Sequence, residues 1–141
     1  MNNNNKKVLE KGYGLVVLPE NIDERGSLTF SEWHHLPFEP KRVFWIYDVQ
    51  DGKTRGGHAH SECAEVVFAI KGGFDMWIDN GTEQTTLHIS KANEGIYIGK
   101  NVWCELRNFL PGTVCVALAS LPYNAKGYIN DYDDFKKIYN R

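Results

Sequence analysis

The sequence predicts an all-β protein, a barrel or sandwich, with a short C-terminal helix. Segments rich in β-branched and aromatic residues recur roughly every ten positions, with glycine, proline, asparagine and aspartate between them. Only the tail, from Asp131 to Tyr139, has helical character. At 141 residues the chain has the length of one domain, large enough for a core of its own.

Taken in order, residues 1–12 open with Met1-Asn2-Asn3-Asn4-Asn5-Lys6-Lys7, polar and without an apolar core. They read as a flexible lead-in rather than a secretory signal, leaving 13–141 as the single domain. Tyr13 to Leu18 is a first strand, ended by Pro19. Asn21 to Gly26 is a polar turn, and Ser27 to Glu32 alternates like a half-buried strand, with Leu28 and Phe30 on one side. Pro37 and Pro40 mark a loop, and Val43 to Val49 is the strongest strand signal. Val66 to Ile70 and Phe74 to Ile78 follow, separated by Gly72-Gly73. Asn80-Gly81 is a hairpin signal leading into Thr85 to Ile89. Gly95 to Ile98, Val102 to Leu106 and Thr113 to Leu121 complete the series. In the tail, Asp131, Asp133 and Asp134 precede Lys136, Lys137 and Arg141, the polarity that a helix dipole favours.

A net charge of −2 gives no general surface for a nucleic-acid polymer or a membrane, and no apolar run is long enough to span a bilayer. Cys63, Cys104 and Cys115 are odd in number and irregular in spacing, which fits reduced thiols in a cytoplasm.

The chemistry concentrates in Arg55-Gly56-Gly57-His58-Ala59-His60, followed by Glu65. Histidines two apart on a strand share a face. If that face lines a barrel, both imidazoles enter one cavity. The two glycines suit a tight turn or a close backbone approach, and Arg55 adds a permanent cation. Such a pair reads as acid–base groups, as metal ligands beside a carboxylate, or as buried structural histidines. Glu65 lies five residues beyond His60, so it joins the pair only if Ser61 to Ala64 turn or bulge. His34, His35 and His88 receive no role.

Gly52, His58, His60, Glu65 and Gly72, at their spacing, resemble the first motif of the cupin family. A narrower resemblance runs from about residue 13 to 138. Asp23-Glu24-Arg25-Gly26, Lys41-Arg42-Val43-Phe44, the Arg55 to His60 stretch and Tyr128-Ile129-Asn130-Asp131-Tyr132 together resemble the nucleotide-sugar 3,4-ketoisomerases. The resemblance implies a cupin jelly-roll barrel acting without cofactor or metal on dTDP-4-keto-6-deoxyglucose. It also implies a homodimer with exchanged N-terminal strands.

Such an enzyme takes a proton from C3, acidified by the C4 ketone, and returns one to C4 through an enediolate, while a hydroxyl proton passes from O3 to O4. Histidine suits that work near neutral pH. By resemblance His58 and His60 are the catalytic pair, with His60 favoured on carbon. Tyr47, on the strand face of Val43 and Trp45, reads either as a catalytic phenol or as a core aromatic. Arg25 and Arg55 read as substrate contacts or as surface arginines, with Arg42 and Lys41 as weaker candidates. Glu65 orients a histidine or touches substrate. Trp103 and Cys104 lie in the second cupin element, on the segment expected to line the cavity, with Trp103 read as a core residue or a stacking surface. Cys104 replaces the usual third-ligand histidine of that element. The alternatives are a nucleotide-sugar 3,5-epimerase, a metal-dependent cupin oxygenase and a non-catalytic sugar-binding cupin.

Overall fold

The computed structural model describes residues 3–141. It begins with α1 (Asn3–Lys11), β1 (Tyr13–Val17), β2 (Glu20–Asp23), β3 (Gly26–Thr29) and β4 (Arg42–Ile46). Then come β5 (Arg55–His60), β6 (Glu65–Lys71), β7 (Phe74–Asp79) and β8 (Gln84–Ile89). β9 (Glu94–Ile98), β10 (Trp103–Arg107), β11 (Val114–Ala119), β12 (Tyr128–Ile129) and α2 (Tyr132–Ile138) complete the chain. One sheet has the order β1-β9-β6-β11-β4 and the other β12-β5-β10-β7-β8, all neighbours antiparallel. Two five-stranded sheets face to face make the expected jelly-roll barrel.

Alternation along the strands builds the core. In β7, Phe74, Met76 and Ile78 are fully buried, while Asp75 and Trp77 turn outward. They meet Ile89, Ile96, Ile98, Cys115 and Ala117, all at most 1% exposed, from both sheets. The Asn80 carboxamide oxygen accepts from the Thr82 and Glu83 backbone N–H groups and so shapes the β7–β8 turn.

The tail is helical as expected. The Asp131 carboxylate caps α2 by accepting from the Asp134 N–H at 2.9 Å, which satisfies a free donor of the first turn. The helix packs on the outer face of the second sheet, where Phe135 is fully buried against Ala59 and Trp103. Arg141 and the Tyr132 hydroxyl both reach the fully buried Asp79 carboxylate, at 3.0 and 2.5 Å. Burial opposes ionisation of Asp79, but the Tyr132, Gly81 and Arg141 donors outweigh it and hold the carboxyl below its ordinary range.

Two sequence expectations are corrected. The lead-in is not irregular: Asn3–Lys11 is helical, and only Met1 and Asn2 lie outside the described residues. The reason is tertiary. Val8 is buried against Gly14, where a Cβ would come within 2.4 Å of its Cγ1, and Asn4 donates to the Leu15 carbonyl. Secondly, the polar turn shrinks to Glu24 and Arg25 between β2 and β3, which pair only with each other in a two-stranded arm. The arm is not half-buried: Ile22 is 71% and Leu28 58% exposed.

Because Phe135 fills the space beneath β5, Phe135→Ala is expected to cost about 3–5 kcal/mol of stability. Urea unfolding monitored by circular dichroism measures it.

Candidate active site

The site is built around β5, which pairs with β10 on one edge and β12 on the other. Opposite β10 the register skips a residue: Cys104 faces His58, and Glu105 faces Gly56. Gly57 is therefore the extra residue of a bulge, and Gly56 and Gly57 both have φ near +80°, at 79° and 78°. A Cβ on Gly56 would also meet the Cys104 carbonyl oxygen at 3.0 Å. The bulge has a functional effect. Arg55 and His58 are three apart and would face opposite ways on a regular strand, yet both line one cavity.

That cavity has a volume of about 360 Å³, within the range of small-molecule pockets. Phe44, Ile46, Val67 and Leu106 give it apolar walls. Arg42, Arg55, His58, Glu65, Cys104 and Tyr128 supply its polar groups. His60 lies deeper, 2% exposed, its ring centroid 4.8 Å from that of His58. The two imidazoles thus share a face, as their spacing requires.

Glu65 reaches them because Ser61 to Ala64 leave the strand and β6 begins in the opposite sheet. Its carboxylate stands between two nitrogen groups, Oε1 at 3.5 Å from His60 Nε2 and Oε2 at 3.7 Å from Arg42 Nη2. Among the described residues, the buried side-chain atoms without a hydrogen-bond partner are Arg42 Nε and His60 Nε2. Both belong to this cluster. Buried polar groups are ordinarily paired, so two orphans in one cluster make it the candidate site for a polar ligand.

Burial is the main force lowering the pKa of His58, aided by His60 and Arg55 and opposed by the Glu65 carboxylate. The imidazole is therefore neutral at pH 7 and able to accept a proton. Burial, with Glu65 and Glu105 nearby, pushes the Cys104 thiol well up, so it stays protonated. Burial also raises the Tyr128 phenol, against the lowering effect of Arg42.

The sequence-predicted residues divide into two groups. His58, His60, Arg55, Glu65 and Cys104 come together at the cavity or directly behind it. Tyr47 does not, and its expected entry into the cavity is corrected. On β4 the inward face is Arg42, Phe44 and Ile46, so Val43, Trp45 and Tyr47 point out, 53%, 61% and 59% exposed. Trp103 takes the core place among its readings and not the cavity. It turns away from Cys104 and packs under α2 against Tyr132 and Phe135, its indole N–H donating to Glu105. Arg25 sits at the tip of the exposed arm, paired with Asp23 at 2.7 Å, and does not line the cavity. Arg42 and Tyr128 are more central than the sequence suggested. Alternation on β4 offers Arg42 as readily as Tyr47, and Tyr128 stands in the C-terminal motif with no neighbour to signal its place.

A metal ion would find a different donor set from the expected one. The ligand atoms of His60, Cys63 and Glu65, all buried, lie within 4.8 Å of one another, without His58. The Arg42 guanidinium, at 3.7 Å from Glu65, would compete with a cation for that carboxylate.

Residues 11–140 match the family described as FdtA: WxcM-like, C-terminal. The TDP-4-oxo-6-deoxy-alpha-D-glucose-3,4-oxoisomerase of Aneurinibacillus thermoaerophilus is 36% identical over 117 residues, 82% of this chain and 84% of that protein. A crystal structure of a 3,4-ketoisomerase from Helicobacter canadensis aligns with TM-score 0.86 and 37% identity, covering 92% of this chain and 98% of that one. A variant of the 3,4-ketoisomerase from Thermoanaerobacterium thermosaccharolyticum, solved with TDP-4-keto-6-deoxyglucose, aligns with TM-score 0.87 and 30% identity, covering 90% and 93%.

The electrostatics can be read directly by NMR titration of the imidazole C–H signals. His58 is expected to titrate below its ordinary value of about 6.5. Glu65→Gln removes the anion that favours the imidazolium, and should move the His58 midpoint further down.

Proposed function

The chain belongs to the FdtA: WxcM-like, C-terminal family, and we propose that it is a 3,4-ketoisomerase converting dTDP-4-keto-6-deoxyglucose to a dTDP-3-keto-6-deoxyhexose. The observation that carries the reading is the pair of imidazoles, centroids 4.8 Å apart, with His58 lining the cavity and His60 behind it, where Arg42 Nε and His60 Nε2 lack partners. The 4-keto hexose occupies the cavity, and the nucleotide lies toward its mouth, where Arg55 offers a guanidinium to the diphosphate.

Deprotonation at C3 falls to the paired histidines, of which burial keeps His58 neutral beside its neighbour. His60 is the carbon acid–base group. Its Nε2 has no hydrogen-bond partner and lies 3.5 Å from the Glu65 carboxylate. Arg42, which lines the cavity, offers a fixed cation to the negative charge that develops on the C4 oxygen. The reaction is an internal redox exchange between neighbouring carbons, so it consumes no cofactor, and no metal is needed to polarise the ketone.

The enzyme acts as a cytoplasmic homodimer. Supporting this, the arm of β2 and β3 leaves Ile22 and Leu28 in solvent, and the outer face of the edge strand β4 exposes Val43, Trp45 and Tyr47. A second copy that received the arm would cover these apolar groups. Exchange of the arms would bring Arg25 to the partner's cavity, which gives the residue a substrate to contact. The three cysteines are buried and unbridged, in keeping with a reducing compartment.

Proton NMR with dTDP-4-keto-6-deoxyglucose in deuterated buffer tests the reaction. Metal-stripped protein should give a 3-keto sugar carrying deuterium at C4. Exchange at C3 and C5 with the ketone still at C4 would instead identify a 3,5-epimerase. His60→Asn is expected to lose turnover by roughly 10²–10⁴-fold while still binding the nucleotide sugar. Sedimentation should report a dimer, and Trp45→Glu should shift it toward monomer by burying a charge in the interface.

A further inference from the structure

We propose that Tyr128 is a catalytic residue of this site, the group that carries the hydroxyl proton between O3 and O4 of the sugar. The inference rests on the ketoisomerase reading and adds to it a role for a residue outside the histidine pair.

Isomerisation moves two protons, one between carbons and one between oxygens. A base committed to C3 and C4 stands over the carbon atoms and is occupied by its own proton when the oxygens must exchange theirs. A second group is needed, able to give a proton and take one at a single atom. A phenol does both, as its oxygen is donor and acceptor.

Tyr128 is placed for that task by backbone pairing. β12 is only two residues long, and its register sets Tyr128 opposite His60 and Ile129 opposite Ala59. Directly opposed residues of antiparallel strands share a face. Tyr128 is therefore held on the histidine side, and Ile129 joins Ala59 beneath α2. The Tyr128 ring lies 4.4 Å from that of His60 and 4.8 Å from that of His58, centroid to centroid. It lines the cavity together with Arg42 and Glu65. The raised pKa keeps the phenol protonated at rest, and the nearby guanidinium of Arg42 favours the phenolate when it forms.

The steps balance. Imidazole removes the C3 proton, and that electron pair forms the C3–C4 double bond as the C4 carbonyl oxygen takes the Tyr128 proton. The products are an enediol, an imidazolium and a phenolate beside Arg42. The O3 hydroxyl then returns a proton to the phenolate as C3–O3 becomes a carbonyl, and C4 takes the proton from imidazolium. C3 is oxidised and C4 reduced by the same two electrons, and both side chains end as they began.

Tyr128→Phe keeps the ring and its packing and removes only the hydroxyl. Its kcat is expected to fall at least 100-fold, in the range of a lost acid–base group, with KM within threefold of wild type. Melting temperature and TDP affinity should be unchanged. A kcat within threefold of wild type overturns the assignment. So does a loss of kcat matched by a lowered melting temperature and weaker TDP binding, the sign of a structural role. Wild-type protein assayed in parallel separates the two levels. If it forms no 3-keto sugar, the ketoisomerase reading fails and the relay with it. If wild type turns over and Tyr128→Phe does too, the relay alone fails.

Discussion

Strand β5 is paired along both edges, and that pairing is the constraint from which the rest of the site follows. β10 fixes one edge and sets the bulge at Gly57, which brings Arg55 onto the face of His58 and His60. β12 fixes the other and sets Tyr128 against His60. Ala59, between the histidines, faces outward and is sealed by Phe135 of α2. The helix is anchored in turn by the Asp131 cap and by Arg141 on Asp79, so the small C-terminal element holds the orientation of the histidine strand from behind. A side chain at a reacting centre must be positioned to a fraction of an ångström, and here the positioning is done by backbone hydrogen bonds and a packed aromatic rather than by flexible side chains.

Electrostatics within the barrel turn on one carboxylate. Glu65 is 6% exposed, and an unpaired charge at such a depth would be strongly disfavoured. The Arg42 guanidinium offsets that cost at 3.7 Å, with His60 Nε2 at 3.5 Å on the other oxygen, both slightly longer than direct hydrogen bonds. Contacts that are close yet unclosed leave polar capacity for a ligand, which accounts for the orphaned nitrogens in an otherwise well-satisfied interior. The core proper contributes little polarity of its own: Phe74, Met76, Ile78 and Ile96 fill the barrel interior with apolar groups and so keep the local dielectric low.

The outer surface has the opposite character. The arm of β2 and β3 joins neither large sheet, and the apolar side chains of the arm and of β4 are bare. Edge strands with exposed apolar residues are ordinarily covered or charged in stable proteins.

The sequence alone determined the strand series, the all-β class, the hairpin at Asn80 and Gly81, the polarity of the terminal helix and the shared face of His58 and His60. Each depends on neighbours within a few positions: a period of two, a turn residue, a capping aspartate. Tertiary structure decided which side of each strand turned inward. On β4 both faces carry large apolar groups, so nothing local distinguishes Arg42, Phe44 and Ile46 from Val43, Trp45 and Tyr47. The cavity took the first set and left the second outside. Trp103 likewise met α2 rather than the cavity, and Val8 made a helix of a polar lead-in by seating on Gly14. Tyr128 reached His60 through a pairing that joins distant parts of the chain. Such choices are settled by the packing free energy of residues far apart in sequence, which no short window contains.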